Sequence, residues 1–403
     1  MNPSLLTTCV LLLLTSFVKA QSVGTTNNLA LQYPTAMEFY KFAPFVDSQS
    51  NPLQVGAISA DQADLDGDGN ADLWFLGHGA SGTELAVQFA NTADLGRFHT
   101  KETLSATPFL SAATYRTSSS TADHIIAIDP NRDEPFLLHW NQHIQNGDPR
   151  NGYLGGSDSG WTVGLNGREI TTADHTGDGH DDIGILRDIT GPSQSGPITE
   201  VTLLEMGTQL YNFLWVENRI SISLGVELNM LRLADLNGDQ QTDIVANAPG
   251  IGLLALRQSG NNFFIHGIWP AGGHTIRDIQ IGDMDRNGQD DIAVVLDQGI
   301  GVILNHKNHP SFISGFEYRA YLNPPQVSAL HTCRIVQDDA ANTCLLIGLP
   351  KDGGNYVIHP EDPGAFGLTQ AWVEPAPAGL TGSGVIGNSV IVADVDNDRD
   401  MDL

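Results

Sequence analysis

The stretch ADLDGDGNADLWFLG, residues 63–77, crowds carboxylates into a short segment that is followed at once by apolar residues. Asp64, Asp66 and Asp68 alternate along the chain, and Asp72 closes the set. Carboxylates this close repel one another unless a cation neutralises them, and oxygen ligands suit a hard ion such as Ca²⁺. An EF-hand loop requires glutamate at position 12, where this chain has Phe75. The apolar run that follows reads as a buried strand, so the unit predicted is strand, calcium loop, strand.

The same unit occurs four more times, in loops that begin at Asp174, Asp235, Asp283 and Asp394. Solvated turns rich in aspartate are the alternative, but they do not account for five copies in register. We expect about five structural Ca²⁺ sites, each with oxygen ligands at positions 1, 3, 5, 7 and 9 of its loop. The predicted ligands are Asp64, Asp66, Asp68, Asn70 and Asp72; Asp174, Thr176, Asp178, His180 and Asp182; Asp235, Asn237, Asp239, Gln241 and Asp243; Asp283, Asp285, Asn287, Gln289 and Asp291; and Asp394, Asp396, Asp398, Asp400 and Asp402.

Two longer gaps contain degenerate copies, near residues 115 and 333, in which the acids are missing. Counted from Tyr115, Asp123 takes position 9, and no metal is expected there. The seven loops begin near residues 64, 115, 174, 235, 283, 333 and 394, on average about 55 residues apart. A period of this length made of short strands predicts an all-β, seven-bladed β-propeller with four strands in each blade. The last repeat is short, so we expect the N-terminal segments 28–33 and 37–42 to complete its blade.

The repeated D-x-D-x-D-G-x-x-D motif and its apolar strand resemble the FG-GAP and VCBS repeats of integrin alpha-type propellers, and DIVANAPG at residues 243–250 is close to the GAP half of that name. The resemblance covers nearly all of residues 21–403 and implies a propeller with calcium loops between the first and second strands of most blades. The chain departs from the motif at Thr176, Gln240 and Arg399. A residue other than glycine is strained at position 6 if φ is positive there, so the loop at Asp64 should bind more tightly than the loop at Asp235.

The N-terminus predicts export. Residues 5–18 are apolar, and Val18, Lys19 and Ala20 offer a cleavage site, so residues 1–20 are predicted to be a signal peptide. The apolar run is too short to span a bilayer. Cys333 and Cys344 are then the cysteines that remain, and in an extracellular or periplasmic protein they favour a disulfide that replaces the calcium clip, with two unrelated buried thiols as the alternative.

The net charge limits the classes of partner that the chain can bind. The net charge of −28 excludes nucleic acid or anionic lipid bound through a basic patch. The sequence contains no convincing catalytic motif, so we expect a monomeric binding module for an extracellular protein or glycan. The competing hypotheses are a polysaccharide lyase or hydrolase on a propeller scaffold, and a fragment of a larger adhesin.

Overall fold

The computed structural model describes residues 55–79, 82–90, 102–105, 109–118, 120, 122–129, 131–142, 152–159, 161, 164–189, 198–208, 214–269, 273–284, 287–297, 299–305, 316–322, 330–338, 343–350, 355–361 and 372–375. The predicted leader, the two N-terminal segments predicted to complete the last blade, Asp285 and the whole loop at Asp394 lie outside these residues. None of the described segments forms a helix long and apolar enough to cross a membrane.

The described strands form six four-stranded sheets, numbered here in chain order, and within each sheet the strands pair antiparallel in sequence order. Sheet 1 contains β1 (Val55–Ala63), β2 (Asp72–Gly79), β3 (Gly82–Gln88) and β4 (Glu102–Ser105). Sheet 2 contains β5 (Ser111–Tyr115), β6 (His124–Ile128), β7 (Phe136–Gln142) and β8 (Gly152–Asp158). Sheet 3 contains β9 (Gly167–Ala173), β10 (Asp182–Ile189), β11 (Ile198–Thr208) and β12 (Leu214–Ser223).

The second half of the chain repeats this pattern. Sheet 4 contains β13 (Asn229–Ala234), β14 (Asp243–Ala248), β15 (Gly252–Ser259) and β16 (Asn262–Trp269). Sheet 5 contains β17 (Ile276–Gly282), β18 (Asp291–Leu296), β19 (Gly299–Asn305) and β20 (Phe316–Leu322). Sheet 6 contains β21 (Leu330–Asp338), β22 (Thr343–Pro350), β23 (Asn355–Glu361) and β24 (Trp372–Pro375).

Sheets 3, 4 and 5 show how neighbouring sheets pack face to face. In β14, Ile244 and Ala246 belong to the core shared with sheet 3, whereas Val245 belongs to the core shared with sheet 5. Successive side chains of a strand point to opposite faces, so a strand covered on both sides must be apolar throughout. This is why β14 is apolar from Ile244 to Ala246 and is buried along its whole length.

The first strands of successive sheets contact one another, from β1 through β5, β9, β13 and β17 to β21. Each sheet therefore begins at a common inner side and proceeds outward, which is the arrangement of a β-propeller-like fold. In sheets 1 to 5 the loop of the expected strand, loop, strand unit lies between the first and second strands. In sheet 6 Cys333, where the sequence predicted a loop to begin, lies within β21 instead. The repeat predicted at Asp394 lies outside the described residues.

The predicted disulfide is not supported by the pairing of β21 with β22. Cys333 lies opposite Gly348, and Cys344 lies opposite Gln337, so the two cysteines are offset by four positions of the ladder. At about 3.3 Å per residue the offset is about 13 Å along the strands. A disulfide requires Cα atoms within about 4.4–6.8 Å. No disulfide joins these two described strands, and Cys333 instead packs in the core between sheets 5 and 6.

Candidate metal centre

The four described loops that begin with aspartate fold in the same way around its carboxylate. Counting that aspartate as position 1, its Oδ1 accepts the position-4 N–H at 2.7–2.8 Å in sheets 1, 3 and 4. Its Oδ2 accepts the position-6 N–H at 2.7–3.0 Å in all four loops. The side-chain oxygen of position 5 accepts the position-7 N–H at 2.8–3.0 Å. The position-1 residues are Asp64, Asp174, Asp235 and Asp283.

Positive φ angles at positions 4 and 6 allow the backbone to wrap around the carboxylate. In sheet 1, Gly67 has φ 76° and Gly69 has φ 84°. Glycine adopts this left-handed region without the steric penalty of a Cβ atom. Position 6 of sheet 4 is Gln240, whose φ is 61°. The strain expected in this loop required a positive φ at position 6, and Gln240 has one.

The position-9 aspartate is buried and ties its loop to the end of the third strand. In sheet 1, Asp72 Oδ2 accepts the Leu65 N–H and Oδ1 accepts the Ala90 N–H, both at 2.8 Å. Asp243 and Asp291 make the same pair of bonds in sheets 4 and 5. Each of these carboxylates holds two parts of its sheet together, which is a structural role in addition to any role as a ligand.

The loop of sheet 1 brings three predicted ligands together. Asp64, Asp66 and Asp72 each place a carboxylate oxygen within 4.8 Å of the other two. Burial, together with the neighbouring carboxylates, raises the pKa of Asp66 to about 6 and that of Asp72 to about 8. Such a site disfavours three ionised carboxylates in the absence of a cation. The oxygen donors and their convergence fit Ca²⁺, which these three residues would hold with Asp68 at the exposed rim.

The loop of sheet 3 fits the motif less well. Asp174 and Asp178 make the shared backbone bonds, and Thr176 Oγ1 lies 3.4 Å from Asp174 Oδ1. The side chain of His180, a predicted ligand, is buried and its Nε2 lies 3.1 Å from Ser118 Oγ in the loop of sheet 2. Asp182 Oδ2 accepts the Thr242 hydroxyl at 2.6 Å. Two of the five predicted ligands are thus engaged with neighbouring loops.

A basic side chain from the third strand lies beside the loop of sheet 4. Arg257 Nη2, on β15, lies 3.2 Å from Asp239 Oδ2. Asn237 Nδ2 lies 3.4 Å from Asp243 Oδ2, and Gln241 donates to Asp239. Because a guanidinium already neutralises part of the charge, a bound cation would gain less here than in sheet 1.

In the loop of sheet 5, Asn287 turns its amide toward the third strand. Asn287 Nδ2 donates to the Asn305 carbonyl, and its Oδ1 accepts the Gln289 N–H at 2.9 Å. Asp283 and Asp291 make the shared bonds of positions 1 and 9. The remaining ligand predicted for this loop, Asp285, lies outside the described residues.

The acid-poor loop of sheet 2 begins one residue later than the sequence count placed it. Tyr115 pairs with His124, as Ala63 pairs with Asp72 in sheet 1. Arg116 therefore holds position 1, His124 holds position 9, and Asp123 holds position 8. A cationic residue stands where the other loops carry their leading aspartate.

An aspartate at position 8 links sheets 2, 3 and 5 each to the sheet before it. Asp123 Oδ2 accepts the Asp64 N–H at 2.9 Å, and the Asp123 N–H donates to the Asp64 carbonyl at 2.7 Å. We call this reciprocal pair an inter-sheet clasp. The same clasp joins Arg116 with Asp181 and Asp235 with Asp290. Sequence reasoning missed these residues, although an aspartate directly before position 9 recurs in sheets 2, 3 and 5 and could have identified them.

A polar pocket of about 360 Å³ lies beside these loops, between sheets 3 and 4. Its walls include residues of the two loops, of β11 and β12, and of the turn between β15 and β16. Most of the lining groups are carboxylates and carboxamides, at Asp178, Glu205, Asn218, Gln241, Gln258 and Asn261.

No protein-family model and no curated protein matches the chain. Solved structures that it resembles include the Tc holotoxin pore of Photorhabdus luminescens, at 13% identity and a TM-score of 0.39, over 82% of this chain and 16% of that one. AofleA from Arthrobotrys oligospora is 10% identical with a TM-score of 0.45, over 85% of this chain and 96% of that one. The exotype rhamnogalacturonan lyase YesX is 10% identical with a TM-score of 0.33, over 78% and 73%. The chain thus spans about a sixth of the holotoxin chain, and similarities at this level do not bear on function.

Proposed function

We propose that the chain is a secreted, calcium-stabilised, seven-bladed β-propeller of the FG-GAP and VCBS type that acts as a binding module for an extracellular glycan or protein. The observation that carries the proposal is the recurrence of one loop geometry in sheets 1, 3, 4 and 5, with three carboxylates converging in sheet 1. A scaffold built from repeated loops offers a broad surface of varied side chains on a constant frame.

Calcium is the cation that these groups favour. The donors are carboxylates, amides and hydroxyls, and oxygen-only sets of this kind suit hard cations. Calcium sites of extracellular modules have dissociation constants of about 10⁻⁴ to 10⁻³ M. We expect affinities of this order here, because the carboxylates of these loops already bind backbone N–H groups and have raised pKa values. The predicted leader in residues 1–20 supports the same compartment.

The sites should differ in affinity, and two substitutions test the order. The loop of sheet 1 has three converging carboxylates and glycine at position 6. The loop of sheet 4 has asparagine at position 3, Gln240 at positive φ and Arg257 beside Asp239. Asp66→Ala should remove one equivalent of bound Ca²⁺ in titrations at low calcium, whereas Asn237→Ala should show its loss only at higher calcium. Equal losses at low calcium would contradict the order.

The ion pair in sheet 4 gives a more direct test. Arg257→Met removes the guanidinium beside Asp239 and should raise the affinity of the calcium site in sheet 4 about three- to tenfold, because the metal then meets an uncompensated carboxylate. Calorimetric titration of Ca²⁺ would measure the change. Arg277→Met is the matched control, since Arg277 is exposed on β17 and the variant carries the same change of net charge. A similar gain in both variants would mean that net charge alone is responsible.

The binding role is tested with the whole secreted chain at saturating calcium. A glycan array and affinity capture from extracellular fluid would each report a partner, and binding that is lost in chelator would connect the partner to the calcium-bound scaffold. Release of unsaturated or reducing ends from a polysaccharide would instead assign the chain to the enzyme class. The absence of any calcium-dependent partner would overturn the proposed role.

A further inference from the structure

The polar pocket between sheets 3 and 4 is large enough to hold a small ligand. Its volume of about 360 Å³ lies within the range of roughly 300–1,000 Å³ typical of small-molecule sites. Glu205 is on β11, Asn218 on β12 and Gln258 on β15, with Asn261 in the following turn. Three of these four residues belong to strands of packed sheets, and positions on such elements are more precise than positions on loops.

Gln258 lies in the wall of this pocket and anchors Glu205. Its side chain is only 2% exposed, and no donor among the described residues reaches Oε1. The orientation of the carboxamide is fixed, because Nε2 donates to Glu205 and to the Gly260 carbonyl. Reversing the amide would place Oε1 against those two oxygens. Oε1 is itself buried, so the role of Gln258 at the pocket is to hold Glu205 through its amide.

Glu205 is held in place by the groups around it. Its Oε1 accepts from Gln258, and its Oε2 accepts from Asn218 Nδ2 at 2.8 Å. Asn218 Nδ2 also reaches Asn261 Oδ1 at 3.2 Å, across the gap between the two sheets. A carboxylate oxygen accepts more than one hydrogen bond, so each oxygen of Glu205 retains capacity for a ligand. Little side-chain entropy remains to be lost when a ligand binds to such a network.

The charge and polarity of the lining select the ligand class. The described lining residues include two carboxylates and four carboxamides, but no lysine, arginine, histidine or aromatic side chain. Anionic ligands are disfavoured by the carboxylates and by the net charge of −28. Apolar ligands would leave the amides and carboxylates without partners. Vicinal hydroxyls both donate and accept hydrogen bonds. They can therefore pair with the carboxylates, which accept, and with the carboxamides, which donate and accept.

We propose that this pocket binds a neutral sugar residue, with Glu205 accepting hydrogen bonds from adjacent ring hydroxyls, Gln258 holding Glu205 in place and Asn261 contacting the sugar at the rim. The proposal rests on the binding function proposed above and specifies its ligand class and its location. An organic cation, which the carboxylates would also attract, is the alternative that the test must exclude.

The test is saturation-transfer NMR on the whole secreted chain at saturating calcium. The probes are glucose, galactose, mannose, xylose and N-acetylglucosamine at millimolar concentration, with glucuronate as the anion and spermidine as the cation. We expect at least one neutral sugar to bind and glucuronate to bind about tenfold more weakly than glucose or not at all. Gln258→Met, which keeps the length of the side chain, should weaken the sugar about tenfold, and Asn261→Ala should weaken it severalfold.

Asn262→Ala is the matched control, because Asn262 is the next residue along the chain, is exposed, and does not line the pocket. If Gln258→Met does not fold, Asn261→Ala alone still decides the matter, because Asn261 is exposed. Sugar binding that is unchanged in the pocket variants would overturn the location and leave the glycan-binding role intact. Binding of spermidine alone would overturn the ligand class. Capture of an extracellular protein without any sugar binding would overturn this inference while the binding-module role stands.

Discussion

Gln240 occupies position 6 of its loop at φ 61°, where the loops of sheets 1, 3 and 5 carry glycine. A residue with a Cβ atom pays about 1–2 kcal/mol in this left-handed region, partly offset by the greater chain entropy of glycine when unfolded. Gln240→Gly should therefore raise the free energy of unfolding by about 1 kcal/mol. Urea denaturation at saturating calcium would measure the gain.

Gly69→Ala is the reciprocal control. A Cβ atom added there meets no atom within 4 Å, so the cost comes from the backbone alone. We expect a loss of about 1 kcal/mol. A neutral Gly69→Ala variant would show that position 6 relaxes easily, and the gain at Gln240 would then need another cause.

The position-9 aspartates predict an unusual pH dependence when calcium is removed. Burial is the main cause that raises the pKa of Asp72 to about 8 and those of Asp182 and Asp243 to about 7. The folded state then binds more protons than the unfolded state between the ordinary pKa of aspartate and these values, so stability falls as pH rises through that window. In excess chelator the melting temperature should be higher at pH 6 than at pH 8. A melting temperature that rises with pH in chelator would contradict this assignment.

At the scale of secondary-structure elements, the inter-sheet clasps couple one sheet to the next. Asp123→Ala removes the acceptor of the Asp64 N–H and should lower the free energy of unfolding by about 1–3 kcal/mol. Asp123→Asn keeps a side-chain oxygen and should recover part of that loss. Thermal melting compares both with Asp133→Ala, which removes an exposed acid between β6 and β7. Equal losses of stability in Asp123→Ala and Asp133→Ala would show that the clasp does not stabilise the fold.

The sequence predicted the strand, loop, strand unit correctly because its signals are local. An aspartate ladder, two glycines and an apolar run all lie within one hairpin, and Asp64, Asp66 and Asp72 converge in the loop of sheet 1. The clasp partner of Asp64 lies 59 residues away in the next sheet, so the recurring aspartate before position 9 marks the residue but not the partner that it binds. The disulfide prediction was wrong for a related reason. Proximity in sequence placed both cysteines in one hairpin, but the register that separates them depends on how β21 and β22 align.

At the scale of the whole molecule, the face-to-face sheets and the clasps imply that the repeats do not melt independently. Each sheet buries apolar side chains against its neighbours, so the opening of one hairpin exposes two cores. Calcium bound in several loops should then stabilise a single cooperative transition. The contribution of each occupied site is RT ln(1 + [L]/Kd), or about 1.4 kcal/mol at tenfold saturation.

Thermal melting with and without chelator tests this coupling. Excess EGTA at neutral pH should lower the melting temperature by several degrees while one transition remains, because the sites are distributed over sheets that share cores. Reductant should leave the melting temperature unchanged, since the ladder offset keeps Cys333 and Cys344 beyond disulfide reach. An unchanged midpoint in EGTA would eliminate the structural role of calcium. A lower midpoint in reductant would mean that the native register of β21 and β22 differs from the one observed.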